Sequence, residues 1–366
     1  MSISEEFRDF ILKRNHYLYR FENGAIKDML QPMRTALIET KLKLDVLSQF
    51  GTGYTLDFRM QRLNQQISEI EALIQAASYD SAGILQEKIY QVVMSDGAAI
   101  EKMLASKYGK IGIDIVGLPF LHIDYIVNNP LLAQSIGSKL ASAGTTSINN
   151  IRAGLTQSII QGEDIRRATN RLIGPVTTAF ANPAYAPTRL VKGSMERTIR
   201  DRAERIARSE ILYASNQVAR DIYRRNRDVL EGVQFSAALD RRTCLECASL
   251  DGTTYNYTEG GEDHTGPALP LHVHCRCVYF PITLSWKELE KQAGVKQDVS
   301  LKTKGAFINT TANIMTYNDW LKTLSADEVK DILGPSRYKL WKSGEIKLSQ
   351  MATSNKILTI DELNDL

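Results

Sequence analysis

The sequence has few cysteines, no long apolar run and little net charge. Its 366 residues include only 4 cysteines, too few for a disulfide-rich secreted scaffold. The longest apolar stretch, residues 111–121, is broken by Asp114, two glycines and a proline. It falls short of the ~18–20 apolar residues that span a bilayer. The first ten residues lack the features of a signal peptide. These absences predict a protein made in a reducing cytoplasm, where clustered thiols bind metal more often than they form disulfides.

Common catalytic motifs are also missing. The sequence contains no P-loop, no strand-embedded Gly-x-Gly-x-x-Gly, no Gly-x-Ser-x-Gly and no His-Glu-x-x-His. Asp240 and Asp251 are candidates for a carboxylate pair, but capping and turn formation explain them more simply. We therefore expect no enzymatic activity.

The net charge of +3 conceals two segments of opposite sign. Residues 151–230 hold 15 basic and 8 acidic side chains, whereas residues 231–280 hold 3 and 7. Four arginines lie close together near the end of a predicted long helix: Arg220, Arg224, Arg225 and Arg227. They form either a solvated face, with intrahelical ion pairs such as Glu196–Arg200 and Glu204–Arg208, or a contact for nucleic acid or an acidic partner.

Apolar spacing predicts a helical N-terminal region over residues 1–110. A heptad seam with spacing 4-3-4-3-4 comprises Leu56, Met60, Leu63, Ile67, Ile70 and Ile74. A second stripe, over residues 26–37, contains Pro32, which predicts a kink or a helix start. Glycines at 51 and 53 predict a turn, and a third helix is expected around residues 89–103. The stripes indicate a bundle core or a partner-binding arm.

The remaining segments predict short helices and strands. Residues 130–175 indicate two or three helices, with an end at Gly162 and a cap at Asp164. A helix-turn-helix is one interpretation of them. A proline-rich linker over 174–195 precedes a helix over 194–230. Strands are predicted at 233–239 and 278–282, with a hairpin turn at Asp251-Gly252. The tail, 285–366, is helical, with capping boxes at 325–328 and 359–362.

All four cysteines fall within residues 244–277, together with two histidines. The cluster comprises Cys244, Cys247, His272, His274, Cys275 and Cys277. A Cys-x-x-Cys turn directs two sulfurs at one centre, as in half of a zinc site. If residues 272–277 are extended, Cys275 and Cys277 share one face and complete an all-cysteine site. If the backbone turns between 272 and 275, a site of three cysteines plus His272 becomes possible, and the sequence does not decide between the two.

Either ligand set leaves no open coordination position, so the expected metal is one structural zinc per chain. The surrounding ~50 residues have few large apolar side chains, and a metal would hold them together. A redox-active Cys-x-x-Cys pair is the less favoured interpretation.

Several elements together resemble the phage Mu protein F-like family of minor head, or head morphogenesis, proteins of tailed bacteriophages. They lie at residues 207–216, 238–247, 250–252 and 270–277, and the resemblance covers roughly 150–282. The tail also resembles that of phage minor head proteins, at residues 316–321, 333–334, 337, 340–344 and 363. The motif of the family carries over to Cys244, Cys247, His272, Cys275 and Cys277 as metal ligands.

The resemblance implies a minor protein of the virion, inside the head near the portal, that is assembled in the host cytoplasm. Expected partners are the portal protein, the head interior and packaged DNA, and some such proteins enter the host with the DNA. A zinc-stabilised nucleic-acid-binding protein is an alternative. Another is a virion nuclease using His264, His272 or His274.

The expected architecture is mainly α with a small α+β zinc-stabilised domain. It comprises a helical arm (1–130), a Mu F-like domain (131–282) whose zinc-binding β region covers 231–282, and a helical tail (283–366).

Overall fold

The computed structural model describes residues 3–49, 53–129, 131, 135–174, 192–257, 265–292, 315–353 and 356–366. The chain forms two compact units. One comprises Met1–Tyr17, Val93–Ile123 and Ser215–Leu366, and the other comprises Leu18–Val92 and Asp124–Ala214. Three long helices contribute residues to both units. The division into 1–130, 131–282 and 283–366 stays a prediction.

The described residues are mostly helical, as the sequence predicts. The helices before the sheet are α1 (Ile3–Asp45), α2 (Leu56–Tyr108), α3 (Phe120–Asn128), α4 (Ile136–Gln161), α5 (Ile165–Ile173) and α6 (Met195–Arg225). A short helix, α7 (Leu245–Leu250), lies between two strands, and the tail contains α8 (Trp286–Gln292), α9 (Tyr317–Thr323), α10 (Ala326–Leu333), α11 (Pro335–Ser343) and α12 (Ile360–Asn364).

The N-terminal region is confirmed as helical, but its helices are longer than predicted. Helix α2 runs without interruption through residues 89–103, so the prediction of a separate third helix is wrong. Its glycines at 83 and 97 each cost only ~1 kcal/mol relative to alanine, too little to end a helix with a buried face. Helix α1 likewise continues through Pro32 rather than starting there.

A buried ionic network joins α1, α2 and α6 within the first unit. The Arg14 guanidinium donates to both carboxylate oxygens of Asp96, at 2.8 Å each. The Ser215 hydroxyl donates to the same carboxylate at 2.6 Å and accepts from Arg14 at 2.8 Å. A buried ion requires a partner of opposite charge, and this network supplies one to each of the two charges.

Helices α4 and α5 meet at the predicted boundary. Gly162 ends α4 in the left-handed conformation, with φ of 69°, and Asp164 accepts a hydrogen bond from the Arg167 amide at the start of α5. Both end signals are therefore confirmed.

Helix α6 ends at Arg225, five residues before the predicted end at 230. The side-chain amide of Asn226 donates to the Ile222 carbonyl and to the Val116 carbonyl, so it satisfies the end of the helix. Arg200 pairs with Glu204 at 3.0 Å. Arg208 contacts Glu22 rather than forming the predicted pair with Glu204.

A three-stranded antiparallel sheet follows α6, in the order β2–β1–β3. Its strands are β1 (Leu230–Ser236), β2 (Thr254–Asn256) and β3 (Val278–Thr283). The central residue Val233 lies opposite Tyr255 on one side and Pro281 on the other. Gly232 permits the approach of β2, because a Cβ there would lie 2.4 Å from the Tyr255 carbonyl oxygen.

The predicted hairpin at Asp251-Gly252 is wrong, although the turn itself is present. The residues before it form α7 rather than a strand, and the strand after it pairs with β1. Cys244 caps that helix, so a helical turn forms where the sequence pattern predicts a strand.

The tail packs its helices around its own apolar cluster. The capping boxes at Ser325 and Thr359 are confirmed, and a third box at Thr316 was not predicted. A two-stranded antiparallel pair, β4 (Ala352–Thr353) with β5 (Lys356–Ile357), was also missed. The buried members of the cluster are Ala248, Tyr317, Leu321, Val329, Leu333, Tyr338, Ile346, Leu348, Met351 and Leu363.

Most of the predicted linker over 174–195 and His264 lie outside the described residues. In the part that is described, no helix is both long and apolar enough to cross a membrane.

Candidate metal centre

The first half of the cluster is formed by the start of α7. Cys244 occupies the N-cap position, and its Sγ accepts a hydrogen bond from the Cys247 amide at 3.4 Å. The helical turn therefore brings the sulfurs of Cys244 and Cys247 to one side. This is the arrangement that the Cys-x-x-Cys spacing predicts.

The second half is a tight turn that leads into β3. The Cys275 amide donates to the His272 carbonyl at 3.1 Å, and His274 adopts a φ of 63°. The backbone therefore turns between residues 272 and 275, so the alternative of an extended segment is wrong. Positive φ values are several-fold enriched for histidine among non-glycine residues, although still uncommon.

The turn brings His272 to the first pair of cysteines. Its Nε2 atom lies 3.2 Å from Cys244 Sγ and 3.1 Å from Cys247 Sγ. Cys247 Sγ also lies 4.0 Å from Cys275 Sγ and belongs to a second group with Cys275 and Cys277. Within each group all ligand atoms lie within 4.8 Å of one another. Cys247 is common to both groups, and His274 belongs to neither.

A hydrogen bond selects the tautomer of the neutral His272 ring. Nδ1 lies 2.8 Å from the Val273 carbonyl oxygen. Because a carbonyl oxygen can only accept, Nδ1 carries the hydrogen and Nε2 presents its lone pair in the neutral ring. Metal-binding histidines are commonly oriented by such a contact at the other nitrogen.

The sulfurs cannot all ionise easily without a cation. A hydrogen bond from Cys247 lowers the pKa of Cys244 to about 5. Hydrogen bonds from Cys247 and Cys277 also lower the pKa of Cys275, while contacts with Cys244, Cys275 and Cys277 raise the pKa of Cys247. Each thiolate thus depends on a neighbouring thiol that keeps its proton. A divalent cation would stabilise several thiolates together, because metal coordination deprotonates thiols.

Neighbouring polar contacts hold the two halves in place. Arg276, between two cysteines, forms a salt bridge with Asp240, and the Asn216 amide donates to the Cys277 carbonyl at 3.3 Å. Asp240 also accepts from the Arg242 amide at 2.8 Å, as expected for turn formation. Asp251 accepts from the amides of Ala237 and Tyr317, at 2.6 Å each. The sequence does not indicate these long-range partners.

The four arginines do not form one continuous face. Arg224 lies 3.5 Å from Asp221, and Arg225 donates to His122 Nε2 at 3.0 Å. Arg227 lies in the turn beyond the end of α6, and Arg220 is partly buried. Arg224 and Arg225 thus contact partners in the same chain.

Comparison with known families identifies the segment that contains this cluster. Residues 149–280 match the family model described as Phage Mu protein F like protein. The chain carries a phage Mu protein F-like domain. No curated protein and no solved structure matches the chain. The match supports a phage head protein and confirms the family that the motifs resemble.

The donor set of the Mu F-like domain fits a closed metal site. Cys244, Cys247, His272, Cys275 and Cys277 all lie inside the matched segment. Thiolate sulfur and imidazole nitrogen are the preferred ligands of structural zinc, and four of them complete its tetrahedral shell. Cys247, Cys275 and Cys277 are almost fully buried, so these sulfurs are shielded from water.

Proposed function

We propose that this protein is a minor head protein that acts in head assembly, inside the capsid and near the portal vertex of a tailed phage. The match of residues 149–280 to the Mu F-like family supports this role. The protein would act through contacts with other head components rather than through catalysis.

Mass spectrometry of purified virions tests the location. Peptides from this chain should be found in DNA-filled particles and should be protected from external protease until the capsid is opened. Absence from virions would contradict the proposal, and cleavage in intact particles would contradict the internal position.

The portal protein is the proposed partner of the helical arm. Helix α1 carries the outward-facing residues Ile38 and Leu42, and the stripe continues to Val46 in the short 3-10 helix that follows; Leu42 is 61% exposed. Their spacing of four residues places these apolar side chains on one face, as in helices that bind partners.

Charge substitutions on this stripe test the contact. The variant Leu42→Glu/Val46→Glu should lose co-purification with the portal protein. A matched control, Asn64→Glu/Ser68→Glu, adds the same charge at exposed polar positions of α2, away from the stripe. Equal portal binding by both variants would contradict a role for the stripe.

Packaged DNA is a second proposed partner, and the net positive charge of residues 151–230 supports it. Arg224→Gln/Arg227→Gln should weaken duplex DNA binding and reduce its dependence on salt. If the affinity for duplex DNA and its dependence on salt concentration were both unchanged, a DNA-binding role for these arginines would be contradicted.

We also propose that the cluster holds one structural zinc ion, bound by four of the five candidate ligands, with Cys247 among them. The fixed His272 tautomer and the mutual dependence of the thiols support a bound cation. Elemental analysis of the purified protein should find about one zinc per chain. A preparation that is folded but free of metal would contradict the proposal.

A further inference from the structure

A cleft of about 550 Å³ lies between the end of α7 and the helices of the tail. Ala248 and Ser249 of α7 form one wall, and Trp341 at the end of α11 lies opposite. The cleft lies within a single compact unit and is separate from the metal cluster. Its volume is in the range of clefts that hold a small ligand or a few groups of a larger one.

The charged side chains that line this cleft are mostly basic. Lys322, Lys342 and Lys347 line it and are exposed to solvent. Among the described residues that line the cleft, Asp251 is the single carboxylate, and its two oxygens already accept backbone hydrogen bonds. Lys322 is paired with Asp319 at 3.1 Å in an exposed contact, which contributes little and is easily exchanged for another anion. The cleft therefore favours an anionic ligand.

The lining combines lysines with one aromatic ring, a combination suited to nucleic-acid phosphates. Lysine binds phosphate as a point charge without requiring a fixed orientation. The Trp341 indole is held by a 2.8 Å hydrogen bond to Asn318 and is only partly buried. A flat aromatic surface beside lysines is suited to a nucleobase with its phosphates.

We propose that this cleft binds the phosphates of a single nucleic-acid strand on Lys322, Lys342 and Lys347, with a base against Trp341. This site goes beyond the proposed head role, and its three lysines and Trp341 lie outside the matched segment, 149–280. It is also distinct from the arginines near the end of α6.

The full-length protein should bind a fluorescein-labelled ten-residue oligothymidylate. Three phosphate contacts predict that the logarithm of the binding constant falls with the logarithm of salt concentration with a slope of about 2. In Lys342→Ala/Lys347→Ala the affinity should fall by about ten-fold and the slope should drop below 1. The control Lys330→Ala/Lys339→Ala removes two lysines from the same helical region, outside the cleft, and should change affinity by less than about two-fold.

Competition distinguishes the sources of phosphate. Unlabelled oligothymidylate should displace the probe at far lower concentration than thymidine monophosphate or inorganic phosphate, because several contacts act together. If thymidine monophosphate displaced the probe at the same concentration as the oligomer, the cleft would be a mononucleotide site. That result would contradict the binding of a nucleic-acid strand. Displacement by polyglutamate as readily as by the oligomer would contradict phosphate recognition. Equal loss of affinity in the cleft and control variants would overturn the proposed site.

Discussion

The helical arm and the metal-binding region of this protein are stabilised in different ways. In the arm, Leu63, Ile67, Ile70 and Ile74 of α2 are all buried, at spacings of three or four residues. Around the cluster, α7 has six residues and β2 has three. Three cysteines are buried there, beside apolar residues of the sheet such as Phe235 and Phe280. The arm thus depends on many equivalent apolar contacts, whereas the metal-binding region combines a smaller apolar sheet with a few convergent ligands.

This difference determines how each region should respond to a single change. Burying an isoleucine or leucine contributes ~1.5–3 kcal/mol, so many residues share the stability of the arm. A structural zinc ion contributes ~10–16 kcal/mol through four ligands, so no single ligand is dispensable. Loss of one contact should therefore weaken the arm gradually but disrupt the metal-binding region completely.

The largest effect is expected for Cys247→Ser. Cys247 belongs to both ligand groups, so its loss leaves neither group complete. The variant should contain no stoichiometric zinc, and amides of β1, β2 and β3 should lose hydrogen-exchange protection. Ser249→Ala on the same helix is the control and should retain the metal. A Cys247→Ser protein with normal zinc content would show that the region does not depend on the shared ligand.

The next largest effect is expected for the buried Arg14–Asp96 ion pair, which is neither an apolar contact nor a metal ligand. Asp96→Leu leaves the Arg14 charge buried without its partner and should lower the free energy of unfolding by ~3–5 kcal/mol. Arg14→Met/Asp96→Leu removes both charges and should cost much less. Urea denaturation measures both variants. Equal destabilisation by the single and double variants would contradict the importance of pairing.

A smaller effect is expected in the arm. Ile70→Ala should lower the free energy of unfolding by ~2–5 kcal/mol, because it opens a cavity, while zinc content stays unchanged. Ser68→Ala, at an exposed position of the same helix, should have almost no effect. Zinc loss in Ile70→Ala would show that the two regions are not independently stabilised.

The smallest effect concerns a helix cap in the tail. Ser325→Ala removes the acceptor of the Glu328 amide and should cost ~1 kcal/mol. Ser343→Ala, near the end of α11, is the control. Identical urea midpoints for Ser325→Ala and the unmodified protein would contradict the contribution of the cap.

Local signals account for the parts of the fold that could be predicted. Gly162, Asp164, Ser325 and Thr359 set helix ends through their own backbone or side-chain hydrogen bonds, and the structure contains all four. The end of α6 differs from its prediction because it depends on a distant contact. Asn226, for example, bonds to Val116, which is 110 residues away in the chain.

The candidate metal site also has features that the sequence predicts and features that require the tertiary structure. The spacing of Cys244 and Cys247 predicts their convergence, and the cluster of all four cysteines in one segment predicts a shared site. The turn at His274 decides whether His272 joins them, and the sequence leaves that alternative open. The support of Asp240 by Arg276 and of Asp251 by Tyr317 requires the tertiary structure, since each pair is far apart in the chain.

Removal of the metal tests the central claim most directly. Hydrogen exchange should be compared in the zinc-loaded protein before and after treatment with a strong chelator at constant pH. We expect β1, α7, β2 and β3 to lose protection while the buried face of α2 over Leu63–Ile74 keeps it, and added zinc should restore the original pattern. Unchanged protection of the three strands after complete zinc removal would contradict a structural role for the metal centre.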